Sequence, residues 1–170
     1  MPYAVAHFIF AFLLVELLKN FILIRGEFPK HYIIYILIGA LLPDLDVLVY
    51  FLIRHLGFSL YEIHRAVLHN IFVPIIILIV ALWTRKNRKN ISNILMIISI
   101  AVFSHLILDM LISGKIELFF PISNLKVGLN LLGLFPEDLQ NMILPIIDAG
   151  LFILFILWMD LKKKLFNFSF

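Results

Sequence analysis

The stretch ISNILMIISIAVFSHLILDMLI, from Ile91 to Ile112, decides the fold. It holds a single carboxylate, no Lys and no Arg. As a helix it is long enough to cross roughly 30 Å of hydrocarbon, which takes about 20 residues. Near its end sit His105 and Asp109. That four-residue spacing puts both side chains on one helix face. An ionisable pair in an apolar run is costly, and such pairs usually serve a function.

The rest of the chain has the same character. Of its 170 residues, 63% are hydrophobic and 15% charged, and the mean hydropathy is +1.07. A soluble domain averages about 45–50% apolar and about 25% charged residues, and one this small has too much surface to hide so many apolar side chains. Composition therefore excludes a soluble globular domain, a disordered chain and a basic nucleic-acid module; no nucleic-acid partner is expected. The net charge of +3 fits the Lys/Arg excess of cytoplasmic loops. The absence of cysteine excludes disulfides, thiolate metal sites and Cys nucleophiles. The first apolar run has no basic leader and no small-residue cleavage site, so a cleaved signal peptide is not expected.

Four further apolar runs flank the first. The expected spans are 3–24, 32–53 (broken at Pro43), 66–84, 91–112 and 142–160. The fold class is thus all-α, an integral-membrane helical bundle of about five transmembrane helices in one domain, 1–170. Residues 113–141 are too polar and too interrupted by Pro and Gly to span, and read as a re-entrant or interfacial segment. Basic residues set the orientation. Lys19, Arg25 and Lys30, then Arg85, Lys86, Arg88 and Lys89, then Lys162, Lys163 and Lys164 mark cytoplasmic loops and a cytoplasmic C-terminus. The N-terminus is expected outside, in a cell (cytoplasmic) membrane.

Heights along the helices follow from a rise of about 1.5 Å per residue. His7 lies about 18 Å above Lys19, and Asp44 about 18 Å above Tyr32. His105 lies about 21 Å and Asp109 about 27 Å above Ile91; Asp148 is about 18 Å above Asp160. His64 and His69 enter from the outer loop. Separate segments thus bring His and Asp to one layer in the outer half of the membrane, which points to a polar pocket opening outward. His and carboxylate without thiolate suit zinc, manganese or iron, and a metal neutralises several buried carboxylates at once.

Each group also has a plainer reading. His105 and Asp109 could form a structural hydrogen bond between spans. Pro43 disfavours helix at Leu42, so Asp44 or Asp46 could cap a new helix or turn to the shared centre; Asp44 is slightly favoured as ligand. His64 fits just before a helix whose first turns hold His69. Arg65 suits a substrate phosphate or a lipid headgroup alike. His7 alone would be a hydrogen-bonded core histidine, and its height makes it a ligand. Asp148 either holds a ligand histidine in place or bonds a neighbouring span.

Four motifs in order carry a resemblance: His7, Leu-Pro-Asp-x-Asp over Leu42–Asp46, His-Arg-x-x-x-His over His64–His69, and Ser-His-x-x-x-Asp over Ser104–Asp109 followed by Phe120-Pro121. In these the chain resembles the membrane-bound metal-dependent hydrolases, the LexA-regulated inner-membrane proteins of YdjM-like type, from His7 to about Pro121. Those are distantly similar to the zinc-dependent phospholipases C. The resemblance implies His7, Asp44, Asp46, His64, His69, His105 and Asp109 as candidate ligands, and Ser104 as a supporting neighbour. It implies one or two divalent ions, zinc foremost, with manganese or iron as alternatives. Ala66-Val67-Leu68 and Asn70 stand where relatives usually carry Gly-Phe-Thr and Ser. The expected activity is hydrolysis of a phosphoester in a lipid or lipid-linked substrate. Asp44 or Asp46 is the candidate general base, and Arg65 the substrate contact. The alternatives are a divalent-metal transporter or sensor and a non-catalytic metal-stabilised scaffold.

Overall fold

A computed structural model describes residues 4–22, 31–57, 67–112 and 114–166. Among the described residues six helices follow in order: α1 (Ala4–Ile22), α2 (Tyr32–Leu41), α3 (Asp46–Ile53), α4 (Phe72–Thr84), α5 (Lys89–Ile112) and α6 (Glu137–Phe166). Short 3-10 turns lie at Pro43–Leu45, Arg54–Leu56 and Leu131–Leu134. One isolated antiparallel bridge, Ile116 with Val127, is the extended pairing among the described residues.

The decisive stretch is the axis of the molecule. α5 packs against α1, α2 and α4. The core joins Ala11, Phe12 and Val15 of α1 to Tyr32, Ile36 and Ala40 of α2 and Ile97 and Ala101 of α5. Small residues let apolar helices approach closely where lipid supplies no hydrophobic drive between them. A Cβ at Gly39 would stand 2.6 Å from the Ala101 Cβ and 2.8 Å from the Ile98 carbonyl oxygen. Gly39→Val is therefore expected to force α2 off α5 and to cost about 1–3 kcal/mol by overpacking. Thermal unfolding in detergent measures it, and an unchanged melting temperature would contradict the close approach. α4 is tied to α5 by hydroxyls two turns apart: Ser92 Oγ donates to the Ala81 carbonyl and Ser99 Oγ to the Pro74 carbonyl, each at 2.7 Å. α6 docks on α1 through Phe155 and Trp158, which meet Phe12 edge to face.

The break in the second run falls at Pro43, as the sequence implies. Proline has no N–H to continue the ladder and restricts the residue before it. α2 stops at Leu41, and the segment Pro43–Leu56 leaves it at 51°. The number of spans differs from the expected five. Among the described residues, two helices are long and apolar enough to cross a membrane, Lys89–Ile112 and Glu137–Leu161. The bent pair Tyr32–Leu41 and Pro43–Leu56 makes a third if it is one span. The clearest shortfall is α4. It covers 13 residues rather than the whole of 66–84, about 20 Å of rise. Its helix begins late because Val67–Ile71 are used in a turn. There Asn70 Oδ1 accepts from the Phe72 and Val73 N–H groups at 3.0 and 3.3 Å. In α1, Glu16 and Lys19 pair at 2.6 Å in the last turns and shorten the uninterrupted apolar stretch.

The segment after α5 folds back on the bundle. Gly114, at φ 129°, donates its N–H to the Asp109 carbonyl at 3.2 Å and ends the helix. The Leu129 N–H bonds the Met110 carbonyl at 2.7 Å, and the Ile71 N–H bonds the Leu118 carbonyl at 2.9 Å. Ile116 of this segment is buried.

Candidate metal centre

Four described segments converge at one end of the bundle. α1 supplies His7 from its first turn. The Pro43 break supplies Asp44 and Asp46. The turn before α4 supplies His69, and the last two turns of α5 supply His105 and Asp109. His7, Asp46, His69, His105 and Asp109 are all 1% exposed or less. The Asp44 side chain is 36% exposed.

Two histidines are oriented from behind. His105 Nδ1 lies 2.6 Å from the Ala40 carbonyl oxygen. A carbonyl only accepts, so His105 carries its proton on Nδ1 and turns Nε2 to the centre. His69 Nδ1 lies 2.9 Å from Asp46 Oδ2. An ionised carboxylate also only accepts, so His69 takes the same tautomer. The two Nε2 atoms then face each other at 3.3 Å. Two imidazole lone pairs at that distance repel, so the arrangement calls for a shared proton or a cation between them.

The carboxylates around this pair are spaced for a cation. Asp109 Oδ2 lies 3.5 Å from His69 Nε2 and 3.6 Å from His105 Nε2. Asp44 Oδ1 lies 3.8 Å from the first and 3.7 Å from the second. Charge-assisted N–H···O bonds are shorter, about 2.7–2.9 Å. Zinc holds nitrogen and oxygen at about 2.0–2.2 Å, and a tetrahedron of that radius has edges of about 3.3–3.6 Å. The observed spacings match or slightly exceed those edges. His7 extends the cluster: its ring stacks on His105 at 3.8 Å, and its Nε2 lies 3.4 Å from Asp109 Oδ1. Two overlapping donor groups result, His7–His105–Asp109 and Asp44–His69–His105, with His105 common to both.

The other residues singled out by sequence have different positions. Asp46 stands on the Nδ1 side of His69, away from the converging Nε2 atoms, and is in neither donor group. Neither aspartate is the cap residue of the helix it precedes; Leu42 and Leu45 occupy those positions. Ser104 donates its hydroxyl to the Ala101 carbonyl of its own helix at 2.7 Å. Asp148 Oδ1 accepts from the Ala6 N–H at 2.7 Å. It thus satisfies an open N–H in the first turn of α1, beside His7, where the helix dipole favours an anion. His64 and Arg65 lie outside the described residues.

The chain that carries this cluster is matched by a family model, that of the YdjM inner membrane protein, over residues 1–165. The chain belongs to the YdjM inner membrane protein family. As a YdjM-family protein it is an inner-membrane protein, in keeping with its apolar helices. No curated protein and no solved structure matches it.

Two contributors in this YdjM-family chain escape a reading by residue type. The Ala40 carbonyl orients His105, and no side chain announces it; Gly39, which admits the close approach, is its one trace in the sequence. Asn70 binds both the Val67 carbonyl and the N-terminus of α4, and so builds the turn that presents His69.

Proposed function

We propose that the chain is a membrane-embedded, metal-dependent hydrolase acting on a phosphoester of a lipid or lipid-linked substrate. One observation carries the reading. His69 and His105, each tethered through Nδ1, bring their Nε2 atoms to 3.3 Å, and a carboxylate oxygen of Asp44 and one of Asp109 each lie 3.5–3.8 Å from both. The donor set, imidazole and carboxylate without thiolate, suits zinc, with manganese or iron as alternatives. His7, His69, His105, Asp44 and Asp109 would supply the ligands of one ion or two. Such an ion, when bound, polarises a phosphoryl oxygen and lowers the pKa of water toward neutrality.

The chain's own groups divide the remaining work. Asp44, the exposed member, receives substrate and is placed to take a proton from water. Asp46 and the Ala40 carbonyl hold the two imidazoles in the productive tautomer. Asp148 fixes the start of α1 and through it His7. Arg65, outside the described residues, is proposed for the substrate's anionic group on charge alone.

The helix directions support an alternating arrangement. The site lies at the N-terminal end of α1 and α4 and the C-terminal end of α2 and α5. The basic turn Arg85–Lys89 lies at the opposite end of α4 and α5. We accordingly place the N-terminus and the site toward the outer face and the C-terminus in the cytoplasm. The fixed, back-bonded histidines favour a static catalytic cluster over a transport site that must alternate its access.

Chelation tests the reading. Treating detergent-purified protein with a strong chelator should lower hydrolysis of vesicle phospholipid or a lipid-linked phosphate ester by more than about 100-fold. That exceeds the 10–100-fold typical of losing an outer supporting residue. Zinc or manganese should restore it. Turnover indifferent to chelation, or none in metal-replete protein, would refute the proposal.

A further inference from the structure

Among the described residues the buried cluster has one partly exposed member, Asp44, and the residues after it along the chain are largely apolar. Asp44 is followed one helical turn later by Leu48, and then by Phe51 and Leu52 on the same face. These three are 59%, 56% and 67% exposed, and the adjacent Leu45 is 53% exposed. A carboxylate of the site therefore heads an apolar strip about 12 Å long. The strip belongs to the segment that bends 51° away from α2. It is held back to the bundle by Asp46 through His69. Two residues after His69, the Ile71 N–H bonds the Leu118 carbonyl of the segment after α5, in which Ile116 is buried.

We propose that the site opens sideways into the bilayer at the α2–α3 break. Its substrate is a membrane amphiphile whose polar head reaches Asp44 while its acyl part stays against Leu45, Leu48, Phe51 and Leu52. The choice of substrate rests on the hydrolase reading; the direction of the opening does not. A water-filled mouth would surround an acidic entrance residue with polar side chains, because exposed apolar surface in water costs about 25 cal/mol per Å². In hydrocarbon the same leucines and phenylalanine cost nothing, and the carboxylate is the one expensive group. A cation shared with Asp109, His69 and His105 offsets that cost.

The chain has no cysteine, so single substitutions Leu45→Cys, Leu48→Cys and, as a polar-turn control, Lys86→Cys each accept one nitroxide label. In liposomes of the full chain, the ratio of collisions with oxygen to collisions with a water-soluble nickel chelate is the first readout. It should be several-fold higher at positions 45 and 48 than at 86. Labels at 45 and 48 that the nickel chelate reaches freely would put the mouth in water and overturn the proposal. Labels shielded from both reagents would put protein over the strip and overturn it equally. The second readout is turnover of a long-chain phosphoester in vesicles against a short-chain, water-soluble analogue. A several-fold preference in kcat/KM for the long chain is expected. Equal turnover would overturn the amphiphile assignment while leaving the hydrolase reading intact. No turnover of either would overturn the hydrolase reading and the substrate with it, and the collision ratios would still decide the opening.

Discussion

His105→Gln should strip the protein of bound metal and reduce hydrolysis to the chelated baseline. His105 is the one side chain common to both donor groups. Its replacement takes away the imidazole on which both groups converge. It also leaves the buried Asp109 with less compensating charge, and removing one partner of a buried charge pair costs about 3–5 kcal/mol. Glutamine is the informative choice because its amide can still donate to the Ala40 carbonyl and preserve the contact between α2 and α5. Elemental mass spectrometry of purified protein reads the metal, and a melting curve shows that the helices remain assembled. Metal retained at the wild-type level with a normal melt would remove His105 from the centre. A folded protein that never carried metal would leave a hydrogen-bonded polar core and remove the metal-dependent readings together.

Asp46→Asn should weaken metal binding by about 10–100-fold, the usual cost of losing an outer partner of a ligating histidine. The side chain stays nearly the same size, so packing is kept. What changes is the proton. A carboxylate only accepts and holds His69 with its hydrogen on Nδ1; an amide can also donate and permits the other tautomer, which puts a hydrogen on Nε2 where the lone pair is needed. Competition against a chromophoric chelator measures the shift. The size of the loss separates two roles for Asp46. A tenfold to hundredfold loss fits a residue that orients His69, as its 2.9 Å contact with Nδ1 indicates. Complete loss, equal to that of His105→Gln, would make Asp46 a ligand and require the 46–69 contact to rearrange.

Much of this architecture is legible in the residues because lipid imposes a simple rule. An unpaired backbone polar group is intolerable in hydrocarbon, so a long apolar run must be helix. That rule yields α5 and α6 with little more than counting. Pro43 predicts the break between α2 and α3, since it removes an N–H and restricts Leu42. The same logic fails at α4. Apolar character alone extends that helix back to residue 66, whereas the turn built by Asn70 delays its start to Phe72. Composition cannot distinguish an apolar residue in a helix from one in a capping turn.

The centre shows the same division. Ionisable residues inside apolar runs mark His7, Asp44, Asp46, His105 and Asp109 from the sequence, and helical rise places them in one layer. Rise says nothing about rotation around each axis or the distance between axes. Those depend on Gly39, Ala40 and Ala101, whose small side chains set how closely α2 meets α5 and hence bring the Ala40 carbonyl to His105. They also decide that the two aspartates after Pro43 divide, Asp44 turning toward both Nε2 atoms and Asp46 going behind His69. The sequence by itself determined an all-helical inner-membrane protein with His and Asp gathered at one height. Only the tertiary structure decided which atoms face the centre and which face away, because a hydrogen bond or a ligand sphere is set to within tenths of an ångström by helix packing, and no residue pattern carries that distance.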